Sequence, residues 1–234
     1  GIFRQGKPAL CGDLDPPHTL LDKVRELDCP FFLRGRDFNL EIGEQHWQWR
    51  GLDTRGRAVG WRALPLLTLP MENAALALQA YLLLDLPWHA EQIAATLQAT
   101  RVVGRLDRRA FDWNGKRLNL LLDVGHNPHA AEYLAKRLAR TPPVGRRLAV
   151  FGLLSDKDLD GVVAPLLGKV QAWAVAPLDT PRSRPAAELQ VALQNLGASV
   201  TSHASVTAAL EAQCAIATPE DEILLFGSFY CVAE

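Results

Sequence analysis

The sequence has little that would mark a secreted, membrane-bound or nucleic-acid-binding protein. Its four cysteines lie far apart and form no Cys-x-x-Cys pair, which favours reduced, buried thiols in a cytoplasmic protein. Acidic and basic residues nearly cancel, with a formal net charge of −1, so no nucleic-acid or anionic-lipid surface is indicated. The most apolar stretch, 74–88, contains polar residues and is too short to span a bilayer. We therefore expect small-molecule partners.

Three signatures of enzyme sites are also absent from the sequence. There is no Gly-x-x-x-x-Gly-Lys-Ser/Thr loop to cradle ATP phosphates. There is no Gly-x-Gly-x-x-Gly, which removes the support for a dehydrogenase or transferase with a dinucleotide fold. There is no Gly-x-Ser-x-Gly elbow, which argues against a nucleophilic serine triad. Any chemistry of this chain must therefore use other groups.

What is present is a chain of 234 residues, 48% of them hydrophobic, which is long enough for two modest cores. Its first part shows short strand patterns and amphipathic helices, and the segment 101–114 is charged with little apolar periodicity. We place a hinge in that segment and predict domains at 1–103 and 104–234. In the first domain the predicted strands are 8–11, 31–33 and 46–49, and the predicted helices are 19–27, 72–84 and 89–100.

After the hinge, apolar runs of strand length alternate with segments of helical period. This alternation predicts an α/β fold with an open, mainly parallel sheet, helices on both faces and ligands at the carboxyl ends of the strands. Ser205 is a predicted helix N-cap, and Gly197 is predicted to close a helix. The predicted strands are 118–124, 148–153, 171–176, 199–203 and 222–226, and the predicted helices are 128–140, 158–167, 185–196 and 205–217.

The most informative local pattern is 120–131, where a carboxylate ends an apolar strand and an imidazole precedes a helix. Asn127 is suited to cap that helix and Pro128 to its first turn, so free backbone N–H groups face the same crevice as Asp123 and His126. Such an arrangement can hold a nucleotide through its ribose and phosphates. The same pattern also fits an ordinary capped helix with Asp123 and His126 as loop polar residues.

The stretch 123–131 resembles the Asp-x-Ala-His-Asn-Pro-x-Ala signature of the folylpolyglutamate synthases in the Mur ligase superfamily, with Gly125 in place of the usual alanine. Val103-Gly104-Arg105-Leu106 resembles Pro-Gly-Arg-Phe of that family, with Val103 and Leu106 departing from it. The resemblance covers nearly the whole chain and is greatest to the bacterial bifunctional dihydrofolate/folylpolyglutamate synthases. The other matching segments, in family order, are 1–4, 70–75, 152–158, 176–182 and 227–233.

The resemblance implies that 1–103 is the tail of a P-loop-type central ATPase domain and that 104–234 is a Rossmann-like glutamate-binding domain. It implies that Asn73 contacts the adenine side of ATP, although Asn73 could also simply cap its helix. Arg105 would reach the phosphates, or be one more solvated arginine of the hinge. Asp123 would accept from the ribose, and His126 would face the phosphates or the incoming glutamate. Arg105 and His126 are the candidates for catalytic contacts.

By the same resemblance, Lys157 and Ser228 are the candidates for binding L-glutamate. Related Mur ligases use a lysine and a serine at comparable places for their amino acid. Arg182 is a third candidate, and a solvated loop arginine is the competing interpretation. Ser228 alone would be unremarkable, because a serine after an apolar strand often only forms a turn.

The implied reaction is ATP-driven amide formation, in which a pteroate or folate carboxylate becomes an acyl phosphate that the amine of L-glutamate then attacks. The substrates would be dihydropteroate and reduced folates, and the enzyme a cytoplasmic monomer. Gly1 is not a natural start. The resemblance places the P-loop, the Mg²⁺ ligands and a carbamylated lysine before it. We therefore expect this fragment alone to be inactive. The alternatives are a Mur-type cell-wall amino-acid ligase and a noncatalytic nucleotide- or amino-acid-binding module.

Overall fold

The structure is a computed structural model that describes residues 2–87 and 89–233. Gly1, the first residue of the matching segment 1–4, and Trp88, the end of the apolar stretch, lie outside the described residues. The chain divides into two compact units, one up to Arg101 and the other from Val102 onward. The sequence analysis places the boundary between residues 103 and 104.

The first unit begins with a small parallel pair of strands and ends with two helices. β1 (Ala9–Cys11) and β2 (Phe31–Leu33) pair in parallel and are connected through α1 (His18–Glu26). The closing helices are α2 (Met71–Leu83) and α3 (Ala90–Ala99). All five elements agree with the sequence predictions apart from small shifts at their ends.

In the sequence between β2 and α2, three strands form an antiparallel sheet. They are β3 (Asn39–Ile42), β4 (His46–Leu52) and β5 (Ala58–Pro65). Only part of β4 was predicted, and β3 and β5 were missed. Alternate residues of β4 are buried, and Trp49 donates from its indole nitrogen to the carbonyl oxygen of Ala75 on α2, at 3.1 Å. The period-two pattern of β4 thus provides the face that packs on the helix.

The second unit is built on a six-stranded sheet with the spatial order β10-β9-β8-β11-β7-β6. Neighbouring strands are parallel except for β6 and β7, which form an antiparallel hairpin. The predicted α/β fold with a mainly parallel sheet is confirmed. β8 and β11 are buried along their whole length, as expected for central strands covered on both faces. The strands are β6 (Asp107–Trp113), β7 (Lys116–Asp123), β8 (Arg147–Phe151), β9 (Ala172–Val175), β10 (Val200–Ser202) and β11 (Glu222–Phe226).

Helices cover both faces of this sheet, and each face has its own core. One core contains α4, α5, a 3-10 helix and α6, and the other contains α7 and α8. Successive residues of β11 alternate between the cores, with Leu224 and Phe226 in the first and Ile223 and Leu225 in the second. The helices are α4 (Pro128–Arg140), α5 (Leu159–Val163), the 3-10 helix (Ala164–Lys169), α6 (Ala186–Asn195), α7 (Val206–Ile216) and α8 (Phe229–Ala233).

The second unit departs from the sequence predictions at three places. The charged segment predicted as an irregular hinge contains β6, which forms the antiparallel edge of the sheet. The single helix predicted for 158–167 changes to 3-10 geometry at Ala164, because Pro165 lacks the N–H that an α-helix needs there. The five-residue helix α8 was not predicted.

Buried carboxylates form ion pairs with arginines at the amino edge of the sheet. The carboxylate of Glu222, the first residue of β11, accepts from Arg147 at 2.8 Å and also pairs with Arg108. Arg147 and Glu222 are both buried, and each has hydrogen-bond partners that offset the cost of desolvating its charge. The neighbouring Asp221 pairs with Arg146 at 2.8 Å.

The cysteines are not joined in disulfides. Cys29, Cys214 and Cys231 are buried, whereas Cys11 is half-buried, so the prediction of buried thiols holds for three of the four. Burial raises the pKa of the Cys214 thiol, which keeps it protonated and unreactive. In the part of the chain that the structure describes, no helix combines the length and apolar character needed to cross a membrane.

Candidate functional site

The predicted site residues of the second unit follow one edge of the sheet. The carboxyl ends of β7, β8, β9 and β11 meet there because these strands are parallel, and β6 begins there because it is antiparallel. Neighbouring strands are about 4.8 Å apart, so this stretch of edge spans roughly 20 Å. In sheet order, this edge carries Arg182 (after β9), Lys157 (after β8), Ser228 (after β11), Asp123 (the last residue of β7), His126 (after β7) and Arg105 (before β6).

Asp123 is the buried carboxylate of this edge, with 6% of its surface exposed. Its Oδ1 accepts the N–H of Gly125 at 2.7 Å, and its Oδ2 accepts the N–H of Leu106 at 3.0 Å. Burial raises the pKa of Asp123, and these two N–H groups together with the charge of Arg105 offset only part of that rise. Asp123 therefore joins the start of the second unit to the end of β7.

Arg105 lies beside this carboxylate, with Nη1 4.0 Å from Oδ1 of Asp123 and 38% of its side chain exposed. The backbone around it is held by the carbonyl oxygen of Gly104, which accepts from Val124 at 2.7 Å. Leu106 adopts a positive φ of 48°, which a non-glycine residue rarely adopts. The guanidinium is thus held at the edge while keeping enough exposure to reach an anion.

His126 stands between β7 and α4 and is half-buried. Its Nδ1 lies 2.9 Å from the carbonyl oxygen of Val124. Because a carbonyl oxygen can only accept, we assign the hydrogen to Nδ1, and Nε2 is then the nitrogen that can turn to a ligand. The side chain of Asn127 accepts the N–H of Ala130 at 2.9 Å, which confirms the predicted cap of α4.

Gly125 is tightly enclosed. A Cβ at this position would lie 2.8 Å from Oδ1 of Asp123 and 3.1 Å from the Cβ of Ala130. An alanine would therefore displace the carboxylate or the first turn of α4. The glycine is compatible with the close N–H bond to Asp123.

Ser228 is buried and follows β11, the last strand in sequence. Its Oγ accepts the N–H of Tyr230 at 3.2 Å, so the side chain caps α8. Gly227 precedes it with φ +110°, a conformation that favours glycine, and a Cβ there would overlap the carbonyl oxygen of Gly152. These glycines at the ends of β11 and β8 let the two strand ends approach closely.

Three buried aromatic rings support these strand ends from below. Phe151 and Phe226 stack at a centroid distance of 4.7 Å, and Trp173 meets each of them at 5.9 Å in an edge-on arrangement. Phe151 and Phe226 are the last residues of β8 and β11. The site therefore rests on a rigid aromatic cluster.

Lys157 and Arg182 occupy two loops that the backbone joins. Leu154 and Ser183 form an isolated antiparallel bridge, so the loop after β8 runs beside the loop after β9. Asp156 lies between the two cations, with its Oδ2 3.1 Å from Nζ of Lys157 and its Oδ1 2.9 Å from Nη2 of Arg182. Lys157 and Arg182 together hold the pKa of Asp156 below its usual value.

Arg184 strengthens the same loop pair. Its Nη2 donates to the carbonyl oxygens of Ser155 at 2.9 Å and of Lys157 at 2.8 Å, and its Nη1 pairs with Glu188. Neither Asp156 nor Arg184 is among the site residues predicted from the sequence. Asp156 and Arg182 are 26 positions apart in the chain, and Arg184 lies 27 or more positions from Lys157 and Ser155. These residues meet because the two loops run side by side.

Asn73 belongs to the first unit and lies in the first turn of α2 with its side chain exposed. The N-cap of α2 is Pro70, and no side-chain cap bond is present there, so Asn73 does not cap its helix. That exposed amide is compatible with a ligand contact. No group of three or more His, Cys, Asp or Glu residues suited to a metal ion occurs among residues 2–87 and 89–233.

Comparison with known proteins identifies the family. Residues 104–229 match the family described as Mur ligase, glutamate ligase domain. The chain belongs to the Mur ligase family. Over its whole length it is 37% identical to the dihydrofolate synthase/folylpolyglutamate synthase of Escherichia coli K12, of which it covers 52%. The chain thus spans about half the length of this curated relative.

Solved structures agree with this assignment to the Mur ligases. E. coli FolC in complex with DHPP and ADP is 36% identical with a TM-score of 0.82, and the match covers 100% of this chain and 53% of that one. A bifunctional folylpolyglutamate synthase/dihydrofolate synthase with Mn, AMPPNP and L-glutamate bound is 35% identical with a TM-score of 0.81, and the match again covers 100% and 53%.

Proposed function

We propose that this chain is part of an ATP-dependent ligase that joins L-glutamate to dihydropteroate and to reduced folates through an acyl phosphate. The carrying observation is the row of Arg182, Lys157, Ser228, His126, Asp123 and Arg105, in sheet order along one edge. The E. coli relative and the ligands named for the related structures support the same reaction. Residues 1–103 would belong to the ATPase domain and 104–234 to the glutamate-binding domain.

Within this row we assign the nucleotide to one end and the amino acid to the other. Asp123 accepts from the ribose hydroxyls, and Arg105 neutralises the charge of the phosphates, because a guanidinium matches phosphate oxygens in a planar fork. His126 faces the phosphates or the incoming amine with Nε2. Lys157, Arg182 and Ser228 bind the carboxylates of L-glutamate, and Asn73 contributes to the adenine side from the first unit.

Mg²⁺ bound to ATP would supply the remaining charge neutralisation in phosphoryl transfer. The described residues contain no cluster of His, Cys, Asp or Glu that could bind a metal ion, and these residues act on the substrates directly. The printed sequence also contains no phosphate-binding Gly-x-x-x-x-Gly-Lys-Ser/Thr loop. We therefore propose that residues 1–234 alone do not turn over ATP. Turnover of ATP by purified 1–234 with L-glutamate and dihydropteroate, at the rate of the complete protein, would overturn that.

The function is tested by measuring phosphate release from the complete protein that contains this chain. Dihydropteroate, tetrahydrofolate and a UDP-muramoyl substrate are each supplied with and without L-glutamate. Glutamate-dependent release with the first two acceptors is the expected result. Release only with the UDP-linked acceptor would show a cell-wall ligase instead. Binding of nucleotide or glutamate without turnover on any acceptor would show a noncatalytic binding module.

Two further properties are proposed from the resemblance alone, namely a monomeric state and a cytoplasmic location. The absence of disulfides among the four cysteines is compatible with the location. Sedimentation of the complete protein tests the first property, and fractionation of cells that produce it tests the second.

A further inference from the structure

One carboxylate holds two of the predicted glutamate-binding cations. Each oxygen of Asp156 takes a different partner, Oδ2 the ammonium group of Lys157 and Oδ1 the guanidinium of Arg182. The two cations come from different loops, 25 positions apart in the chain. Without Asp156, their like charges would favour separation. The carboxylate therefore sets how close the two cations lie.

The backbone beneath this trio is fixed independently. Ser155 donates its N–H to the carbonyl oxygen of Arg182 at 2.9 Å, and Arg184 donates its N–H to Leu153 at 2.9 Å. The guanidinium of Arg184 adds its bonds to the carbonyl oxygens of Ser155 and Lys157. The loops therefore remain joined when the side chain at 156 is changed. What Asp156 adds is the placement of the two charged ends.

This placement contributes little to folding. The side chains of Asp156 and Arg182 are 46% and 63% exposed, and exposed ion pairs stabilise proteins only weakly. It also does not block the cations. An ammonium group has three N–H donors and a guanidinium has five, so one bond to Asp156 leaves most donors of Lys157 and Arg182 for a ligand.

We propose that Asp156 is a positioning residue that holds Lys157 and Arg182 as one paired cationic clamp for the two carboxylates of the incoming amino acid. This inference rests on the proposed glutamate-ligase function. The clamp presents two separate cationic groups, so each can take one carboxylate of a dicarboxylic amino acid. Asp156 itself does not touch the substrate. It acts through the two cations.

The test uses the complete protein and compares Asp156→Asn, Asp156→Ala and the charge-conserving Asp156→Glu with wild type. Steady-state kinetics are measured with varied L-glutamate and, separately, varied ATP. Asp112→Asn is the matched control, because Asp112 forms a similarly exposed pair with Arg117 at 2.8 Å on the β6–β7 hairpin. The assays are run at about 0.15 M ionic strength, where the Debye length is about 8 Å and longer-range charge effects are screened.

The expected result is a rise in KM for L-glutamate on the order of tenfold in Asp156→Asn and Asp156→Ala, because a displaced cation weakens its charge-assisted hydrogen bond to the ligand carboxylate. The kcat at saturating L-glutamate and the KM for ATP remain near wild type, and Asp156→Glu recovers part of the affinity. A general loss of folding would instead lower the active fraction, and thus kcat, without changing either KM.

Three results would overturn the proposal. The first is an unchanged KM for L-glutamate in Asp156→Asn and Asp156→Ala. The second is a lowered KM, which would show that Asp156 competes with the substrate for the cations. The third is an equal rise in Asp112→Asn. If wild type itself shows no glutamate-dependent phosphate release, the proposed function has failed, and this outcome is distinguishable because it appears before any variant is compared.

Discussion

Nη1 of Arg105 lies 4.0 Å from Oδ1 of Asp123, and the same carboxylate accepts the N–H of Leu106, the residue after Arg105. Asp123 thus contacts both the charge and the backbone of the segment that presents the guanidinium. If Arg105 neutralises phosphate charge during the reaction, its removal should slow turnover rather than only weaken binding.

In the complete protein, Arg105→Ala is expected to lower kcat for glutamate-dependent phosphate release by on the order of 100-fold. Arg105→Lys should recover only part of this, because lysine keeps the charge but lacks the planar fork. The control is Arg109→Ala, since Arg109 is an exposed arginine of β6 paired with Asp107. Wild-type kcat in Arg105→Ala would contradict the assignment of this residue to ATP.

Ser228 and Ser205 offer a matched pair for separating capping from substrate binding. Each caps a helix, Ser228 through Tyr230 at 3.2 Å and Ser205 through Ala208 at 3.1 Å. Either serine to alanine change should lower the free energy of unfolding by about 1 kcal/mol. Only Ser228→Ala should also raise the KM for L-glutamate. An equal KM in both variants would reduce Ser228 to a capping residue.

Gly227 and Gly197 form a second matched pair, because both have positive φ but differ in surrounding space. A Cβ at Gly227 would overlap the carbonyl oxygen of Gly152, whereas none of the surroundings of Gly197 lies within 4 Å of such a Cβ. Gly227→Ala should therefore cost about 3 kcal/mol or more, and Gly197→Ala about 1 kcal/mol. Urea denaturation followed by far-ultraviolet circular dichroism measures both. Similar costs would mean that the strand ends are less closely packed than described.

Asp221 should make the stability of the second unit depend on acid. Burial alone would raise its pKa, but the guanidinium of Arg146 and the N–H groups of Arg146 and Thr218 lower the pKa to about 2. A depressed folded-state pKa gives stability that is present above the unfolded value of about 3.8 and is lost as pH falls through about 2. The contribution is about 2 kcal/mol.

Asp221→Asn should lower the free energy of unfolding by about that amount at neutral pH and remove this part of the loss between pH 4 and about pH 2. Urea denaturation across this range provides the measurement. Asp112→Asn, which removes only an exposed pair, should change the free energy of unfolding little at neutral pH. A pH dependence in Asp221→Asn equal to that of wild type would show that other carboxylates cause the acid loss.

Much of the second unit could be predicted because its strands are buried on both faces. The run 222–226 and the helix 128–140 have the predicted bounds, and the caps at Asn127 and Ser205 and the end of α6 at Gly197 are confirmed. β6 was missed because it is an edge strand with mostly exposed residues, so it shows no apolar run. β3 and β5 were also missed. They are the edge strands of their sheet, and many of their residues are exposed.

The candidate site was predictable only where one segment carries the chemistry. Asp123, His126 and Asn127 are neighbours in sequence, and their joint arrangement at the head of α4 follows from strand and helix periods. The order of the row along the edge could not be predicted, because β11, the last strand in sequence, inserts between β7 and β8. The link from Asp156 to Arg182 depends on the pairing of the loops after β8 and β9 through Leu154 and Ser183, which has no sequence signal.

The two ends of β11 have different roles, one in stability and the other at the candidate site. Glu222 at its start forms ion pairs with Arg147 and Arg108, and Ser228 lies two residues beyond its last residue at the other edge of the sheet. Substitutions confined to the loops after β8 and β9 would leave these ion pairs intact. Under the proposed function, directed evolution of substrate choice in those two loops need not weaken the anchoring of the scaffold.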